Sequence, residues 1–443
     1  MKIQLSNHFT YKKLFRFVLP SIVMMVFTSI YGVVDGLFVS NFVGKTPFAA
    51  INLIMPFIMI LGGIGFMIGT GGSALVSKTL GEGDRERANK YFTMLIYMTL
   101  ILGVALSIIG IVFLKPISIL LGATEEMLPH CITYGRTVLA FNTTFMLQNV
   151  FQSLLVTAEK PKFGLFVTVA SGCTNMVLDA LFIAGFNMGV FGAALATGIS
   201  QIVGGIIPLI YFMRQNSSSL MITRTRLEMV PMLKVCANGS SELMSNISSS
   251  LVSIVYNFQL MKYIGEDGVS AYGVLMYVQF IFIAIFVGYA VGTAPIIGYH
   301  YGSGNESELK SILKKSMLLM GVGGLLLATA AKLLGPTLAN IFVGYDEALC
   351  TLTAHAFDLF SYSFILAGIN IFISSLFTAL NNGGVSAAVS FLRTLVFQMA
   401  SVILLPLIVS VDGIWLAVTA SEIFASIISM IFLFTKRKKY NYM

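Results

Sequence analysis

Twelve apolar stretches, each about as long as a bilayer is wide, leave this 443-residue chain few ways to fold. A helix needs roughly 20 mostly apolar residues to cross hydrocarbon. The stretches lie at 14–40, 47–77, 91–113, 128–157, 163–186, 190–213, 235–261, 269–299, 313–334, 349–380, 385–409 and 413–435. Several exceed the minimum, which implies tilt or extension beyond the hydrocarbon. Backbone in lipid must satisfy its own polar groups, so the pattern predicts an all-α integral membrane protein of twelve transmembrane helices. Charged residues make up 10% of the sequence, against about 25% in soluble domains. The net charge of +8 does not point to nucleic acid, because the charges sit between the apolar runs and form no basic face interleaved with aromatics. Residues 1–13 are polar and basic and lead into a run too long for a signal peptide, so they are expected to be retained. Cys131, Cys173, Cys236 and Cys350 are scattered without metal spacing and are expected to be free thiols.

Lys and Arg placement sets the expected orientation. With a cytoplasmic N-terminus, 22 of the 27 basic residues fall inside, and only Lys45, Lys115, Arg136, Lys262 and Lys332 fall elsewhere. The positive-inside rule then predicts a multi-pass protein of the plasma (inner) membrane with both termini cytoplasmic.

A duplication runs through the chain. A shift of 221 residues places Gly44, Ala50, Met55, Gly71, Gly81 and Gly83 on Gly265, Ala271, Met276, Gly292, Gly302 and Gly304. The same register places Asn149 and Thr157 on Asn370 and Thr378, and Gly192 and Ser200 on Gly413 and Ser421. Each copy holds six spans, an even number, so the copies enter from the same side and are related by an axis along the membrane normal. The expected domains are two six-helix lobes, 1–213 and 232–443, joined by a polar cytoplasmic linker at 214–231. Parallel halves of this kind enclose a central cavity and rock to expose it alternately.

Ionisable groups at membrane depth are costly and are functional candidates by default. In the first copy these are Asp35 and Asp179; in the second, Glu242, Asp358, Arg393 and Glu422. Asp35 lies between Gly32 and Gly36, a spacing expected to let a neighbouring helix approach closely. Asp179 shares a helix face with Asn175 four residues earlier. Thr197 on the sixth span, and Gln148, Asn149 and Gln152 on the fourth, complete a possible pocket of carboxylate, amide and hydroxyl oxygens, suited to a hard cation or a proton. The repeat partners of Asp35 and Asp179 are Tyr256 and Ala400, so the charged pocket is expected to be one-sided. Arg393, near the start of the eleventh span, is expected to snorkel to the interface. The 24 Met and 35 Phe are expected to be mostly lipid-facing or core, with a flexible Met and aromatic cavity suited to ligands of varied shape.

The stretches 31–44 (YGVVDGLFVSNFVG), 81–88 (GEGDRERA), 301–305 (YGSGN) and 175–183 (NMVLDALFI) resemble the multidrug and toxic compound extrusion (MATE) family of the multidrug/oligosaccharidyl-lipid/polysaccharide flippase superfamily. The resemblance covers nearly the full chain. It implies that Asp35, Asn149, Asn175, Asp179 and Thr197 form a cation-coupling site, with sodium possible at Asp35, Asn175, Asp179 and Thr197. Other branches use a Glu on the seventh span and an Asp on the tenth. Glu242 matches the first, but position 367 is Ala367 and Asp358 lies elsewhere, so these two and Gln148 and Gln152 are weaker candidates.

Other motifs carry less. Gly44-Lys45-Thr46 lacks the first glycine of a P-loop. Gly81-Glu82-Gly83-Asp84 reads as a turn with Asp84 as an N-cap rather than as protease chemistry. The expected function is a non-enzymatic antiporter, monomeric, exporting amphipathic or cationic drug-like compounds against H⁺ or Na⁺ and needing no cofactor. The alternative is a lipid-linked oligosaccharide flippase, which would want many cationic side chains in its cavity.

Overall fold

The computed structural model describes residues 3–443, and every side chain among them except that of Leu37. The first three spans are Tyr11–Phe42, Lys45–Gly81 and Arg85–Leu120. The fourth is two pieces, Leu128–Ala140 and Asn142–Thr157, and the fifth is Pro161–Asp179 continued by a π-helical segment, Ala180–Gly185. The sixth is Gly189–Met213. Met229–Tyr263, Glu266–Gly302 and Glu306–Val343 are the seventh to ninth. The tenth joins Glu347–Ser361 to Ser363–Ala379 through a 45° bend. The eleventh runs from Gly383–Phe391 through a π segment, Leu392–Phe397, to Gln398–Leu404 and Pro406–Val409, and the twelfth is Asp412–Tyr440. These are the twelve helices of two six-helix bundles.

Among the described residues, nine helices are long and apolar enough to cross a membrane, and the bent tenth span makes ten. The fourth and seventh spans fall short for a physical reason. They carry the polar residues that the others lack, including Gln148, Asn149, Gln152 and Ser153 on the fourth and Ser241, Glu242, Ser245 and Asn246 on the seventh. Polar side chains at membrane depth must face protein or water. Every residue from Met146 to Thr157 is accordingly buried inside the first lobe.

The lobes meet at the end that carries the described parts of both termini. There the second span crosses the seventh, the first crosses the eighth, and the second and eighth touch each other. At four glycines the contacts are backbone to backbone. A Cβ on Gly71 would strike the Val235 carbonyl, and one on Gly239 would strike that of Met67. Gly81 abuts the Tyr299 carbonyl and Gly302 that of Lys78, a pair of contacts that exchange under the 221-residue repeat. The turns beside them repeat as well. Gly83 and Gly304 take positive φ of 84° and 67°, conformations open to glycine at little cost. Asp84 accepts from Arg87 N at 2.9 Å and Asn305 from Glu308 N at 3.1 Å, so both copies cap the following helix as expected for Asp84.

Chain segments outside the spans fasten the same end. The segment between the lobes lies along the third span, with Met221 N donating to Asn89 Oδ1 and Thr223 N to Thr93 Oγ1. Leu5 N donates to Glu159 of the first lobe, while Phe9 N and His8 bond Glu308 of the second. At the opposite end the lobes part. Ser29 Oγ reaches Phe280 O at 3.4 Å, but beyond it Gly32, Gly36 and Gly273 all face open space. The expectation that Gly32 and Gly36 admit a neighbouring helix is therefore wrong here. At that level the first span packs on the fifth through its other side, with Phe27 and Tyr31 against Gly172, and leaves the face of Gly32 and Gly36 uncovered.

Candidate functional site

Two polar centres lie between the closed and open ends, one in each lobe. In the first lobe, Asp35 projects from the first span towards Asn175 and Asp179 on the fifth. Asn175 is 2% exposed and Asp179 is fully buried. Asp35 Oδ1, Asn175 Oδ1, both Asp179 oxygens and Thr197 Oγ1 are all buried without a hydrogen-bond partner among the described residues. Buried polar atoms are normally satisfied, so a cluster of orphaned oxygens asks for an occupant. The cluster holds oxygen donors alone, two carboxylates among them, which suits a hard cation or a proton. It contains no group of three His, Cys, Asp or Glu of the kind that binds a transition metal, and none occurs elsewhere among the described residues. The π-helical segment begins immediately after Asp179. Such widened turns release backbone groups and recur at functional sites.

The amide candidates of the fourth span are placed differently. Asn149 donates to the Gly62 carbonyl at 3.1 Å, and Gln148 reaches Ser171 Oγ at 3.4 Å. Gln152 is buried with its Oε1 unpaired. Two tyrosines that the sequence reading passed over belong to the cluster: Tyr31 lies beside Asp35 and Gln148, and Tyr134 beside Asp35, Asp179 and Thr197. Tyr31 was detectable, being one helical turn from Asp35 on the same face. Nothing in the sequence marked Tyr134, which arrives from the fourth span through tertiary folding.

The second lobe holds a centre of another kind. Arg393 sits in the π segment of the eleventh span and grips Glu422 of the twelfth, with Nη2 to Oε1 at 2.7 Å and Nε to both oxygens at 2.9 and 3.0 Å. Asn370 donates to Glu422 Oε2 at 2.7 Å. The expectation that Arg393 snorkels to the interface is overturned, because an inward carboxylate offers it a bidentate partner. The Asp35 and Asp179 pair has no copy at the repeat positions, where Tyr256 and Ala400 stand, but the second lobe carries this charged centre of its own. Glu242 lies within electrostatic reach of Arg393 yet has no ion pair or hydrogen bond to its carboxylate among the described residues. Asp358 is elsewhere, half-exposed and paired with Lys332 at 2.9 Å.

Glu242, Arg393 and Glu422 line a recess at the junction of the lobes, with about 1120 Å³ of empty space including its open mouth. Its walls are rich in hydroxyls, from Thr70, Ser73 and Ser153 of the first lobe and Ser245, Ser374, Ser390 and Thr394 of the second, and Gln279 and Gln398 add amides. No Met or aromatic residue lines it. The expected Met/Phe cavity is thus not this one. Bulky apolar residues are found in lobe interiors and on outer surfaces, as expected for most of them, with Phe151 buried and Phe258 exposed.

Known proteins share this arrangement. The family model MatE matches twice, over residues 20–181 and 243–404, once for each copy. The multidrug export protein MepA of Staphylococcus aureus is 25% identical over 377 residues, covering 84% of this chain and 82% of that protein. Its counterpart in Staphylococcus saprophyticus is 26% identical over 410 residues, covering 91% and 88%. Among solved structures, an outward-facing multidrug resistance MATE family transporter superposes with a TM-score of 0.93 at 22% identity, covering 100% of this chain and 99% of that one. A transporter of the same superfamily from Pyrococcus furiosus gives 0.91 at 22% identity and 98% coverage of both chains. Two tandem six-helix lobes, each matched by the same family model, make this chain a multi-pass membrane protein of the MatE family.

Proposed function

We propose that the chain is a secondary active multidrug exporter that moves cationic organic compounds out of the cell in exchange for H⁺ or Na⁺. The observation that carries this reading is the cluster of orphaned oxygens at Asp35, Asn175, Asp179 and Thr197. A proton or sodium entering there would satisfy atoms that are otherwise buried without partners. The excess of Lys and Arg at the closed end supports a cytoplasmic location for both termini, so the parted end faces outside. In that state the ion reaches the first-lobe cluster from outside, the first span repacks around it, and substrate leaves. Opening of the glycine-lined contact then admits substrate from the cytoplasm while the ion departs inward. Glu242, a recess carboxylate with no ion pair among the described residues, is the group that would meet cationic substrates. The similarity to multidrug export proteins supports small organic substrates. The flippase alternative is disfavoured, since the one arginine lining the recess is already committed to Glu422.

Purified protein in sealed vesicles, given separately imposed pH and sodium gradients, tests this with a fluorescent organic cation as substrate. One gradient should drive transport, and Asp35→Asn and Asp179→Asn should each weaken that drive. Undiminished gradient-driven transport in both variants would sink the coupling assignment.

A further inference from the structure

Away from both polar centres, at the closed end of the first lobe, a pocket opens between the starts of the first and fifth spans. Arg16, Lys160 and Lys162 line it beside Phe17, Phe163 and a single carboxylate, Glu159. Glu159 is engaged by the Leu5 amide at 2.8 Å, and Lys160 donates to Ser217 Oγ at 2.8 Å. Arg16 and Lys162 have no anionic partner among the described residues. Two unpaired cations facing one concave site form an anion receptor in search of an anion. Its position says which. Phe15 and Leu19, flanking Arg16, are 50% and 40% exposed, and Phe166, one turn beyond Lys162, is 64% exposed. Exposed apolar side chains on a membrane helix are lipid-facing, so the cations stand where hydrocarbon gives way to headgroups.

We propose that this pocket holds the phosphate headgroup of an anionic membrane phospholipid. Its phosphate sits between Arg16 and Lys162, and its acyl chains descend along Phe15, Leu19 and Phe166. Basic pockets between spans on the cytoplasmic side suit such headgroups, and each Lys or Arg near the surface strengthens binding roughly five-fold. The site has a structural consequence too. A headgroup there rests against the Glu159 contact by which the N-terminal segment joins the first lobe.

Native mass spectrometry of the full chain in detergent, titrated with phosphatidylglycerol or phosphatidylcholine, tests the assignment. The wild type should retain phosphatidylglycerol in preference to phosphatidylcholine. Arg16→Gln/Lys162→Gln should lose that affinity about 25-fold, with Arg16→Lys retaining it. The matched variant Arg437→Gln/Lys438→Gln, which removes two cations from the same end, should bind normally. An equal loss in both double variants, or no lipid preference, overturns the proposal. So does inorganic phosphate competing as strongly as the lipid, which would make a soluble anion the occupant. Thermal unfolding of each variant separates lost binding from lost fold.

Discussion

The two lobes share a scaffold and differ in how their buried charges are treated. In the first, Asp35 and Asp179 face each other with oxygens unpaired; in the second, Glu422 is saturated by Arg393 and Asn370. The charges do not even occupy equivalent positions. Asp35 corresponds to Tyr256, which stacks on Tyr272 with ring centroids 4.7 Å apart, and Arg393 corresponds to Gly172, against which Phe27 packs. Asn149 and Asn370 are equivalent, yet the first bonds the Gly62 backbone and the second a carboxylate. Duplication has therefore preserved where helices cross while the interior chemistry diverged. An unsatisfied cluster can exchange an ion; a saturated one holds its shape.

That contrast can be broken in graded ways. The largest effect is expected from Arg393→Met, which leaves Glu422 charged in a low-dielectric site and should cost about 3–5 kcal/mol. Thermal unfolding in detergent measures it, and Arg393→Met/Glu422→Leu should recover most of the loss. If the single variant is as stable as wild type, the second centre is not a structural clamp. Next, Asp179→Asn should weaken coupling between ion and substrate by about 5- to 150-fold while leaving unfolding little changed. Binding of an organic cation, titrated with and without sodium or at two pH values, reads the coupling directly. Gly81→Val should destabilise the closed end by about 1–3 kcal/mol, since its Cβ meets a carbonyl that cannot rotate away. Spin-label distances across that end should lengthen, and Gly302→Val should match it if the lobes are equivalent there. The smallest effect belongs to Asp358→Asn, whose solvent-screened pair with Lys332 adds little to stability. Transport should not change.

Legibility in the sequence followed range. The spans were readable because lipid imposes one requirement on every residue of a span, and their positions agree with the helices to within a few residues at most ends. The relation of Asn175 to Asp179 was local and readable; their meeting with Asp35 rested on family resemblance. Arg393 was misjudged because its partner lies 29 residues away on another span, and interface and interior look alike without that partner. The recess lining was misjudged because composition counts Met and Phe without saying which way they point. Gly32 and Gly36 show the same limit: a small-residue spacing permits close approach but does not supply the helix that approaches.

The glycine contacts that close one end carry a consequence for the cost of closing it. Where side chains interdigitate, closing an interface freezes rotamers, at up to about 2 kcal/mol for each long side chain. At Gly71, Gly81, Gly239 and Gly302 the touching surface is main chain, already rigid within its helix. Closure there forfeits almost no conformational freedom, and opening recovers almost none. The glycine crossings thus add little entropic cost to closing that end, and what opening must part is the apolar cluster of Phe9, Leu14, Phe17 and Val18 with Ile296 and Ile297, together with the His8–Glu308 contact.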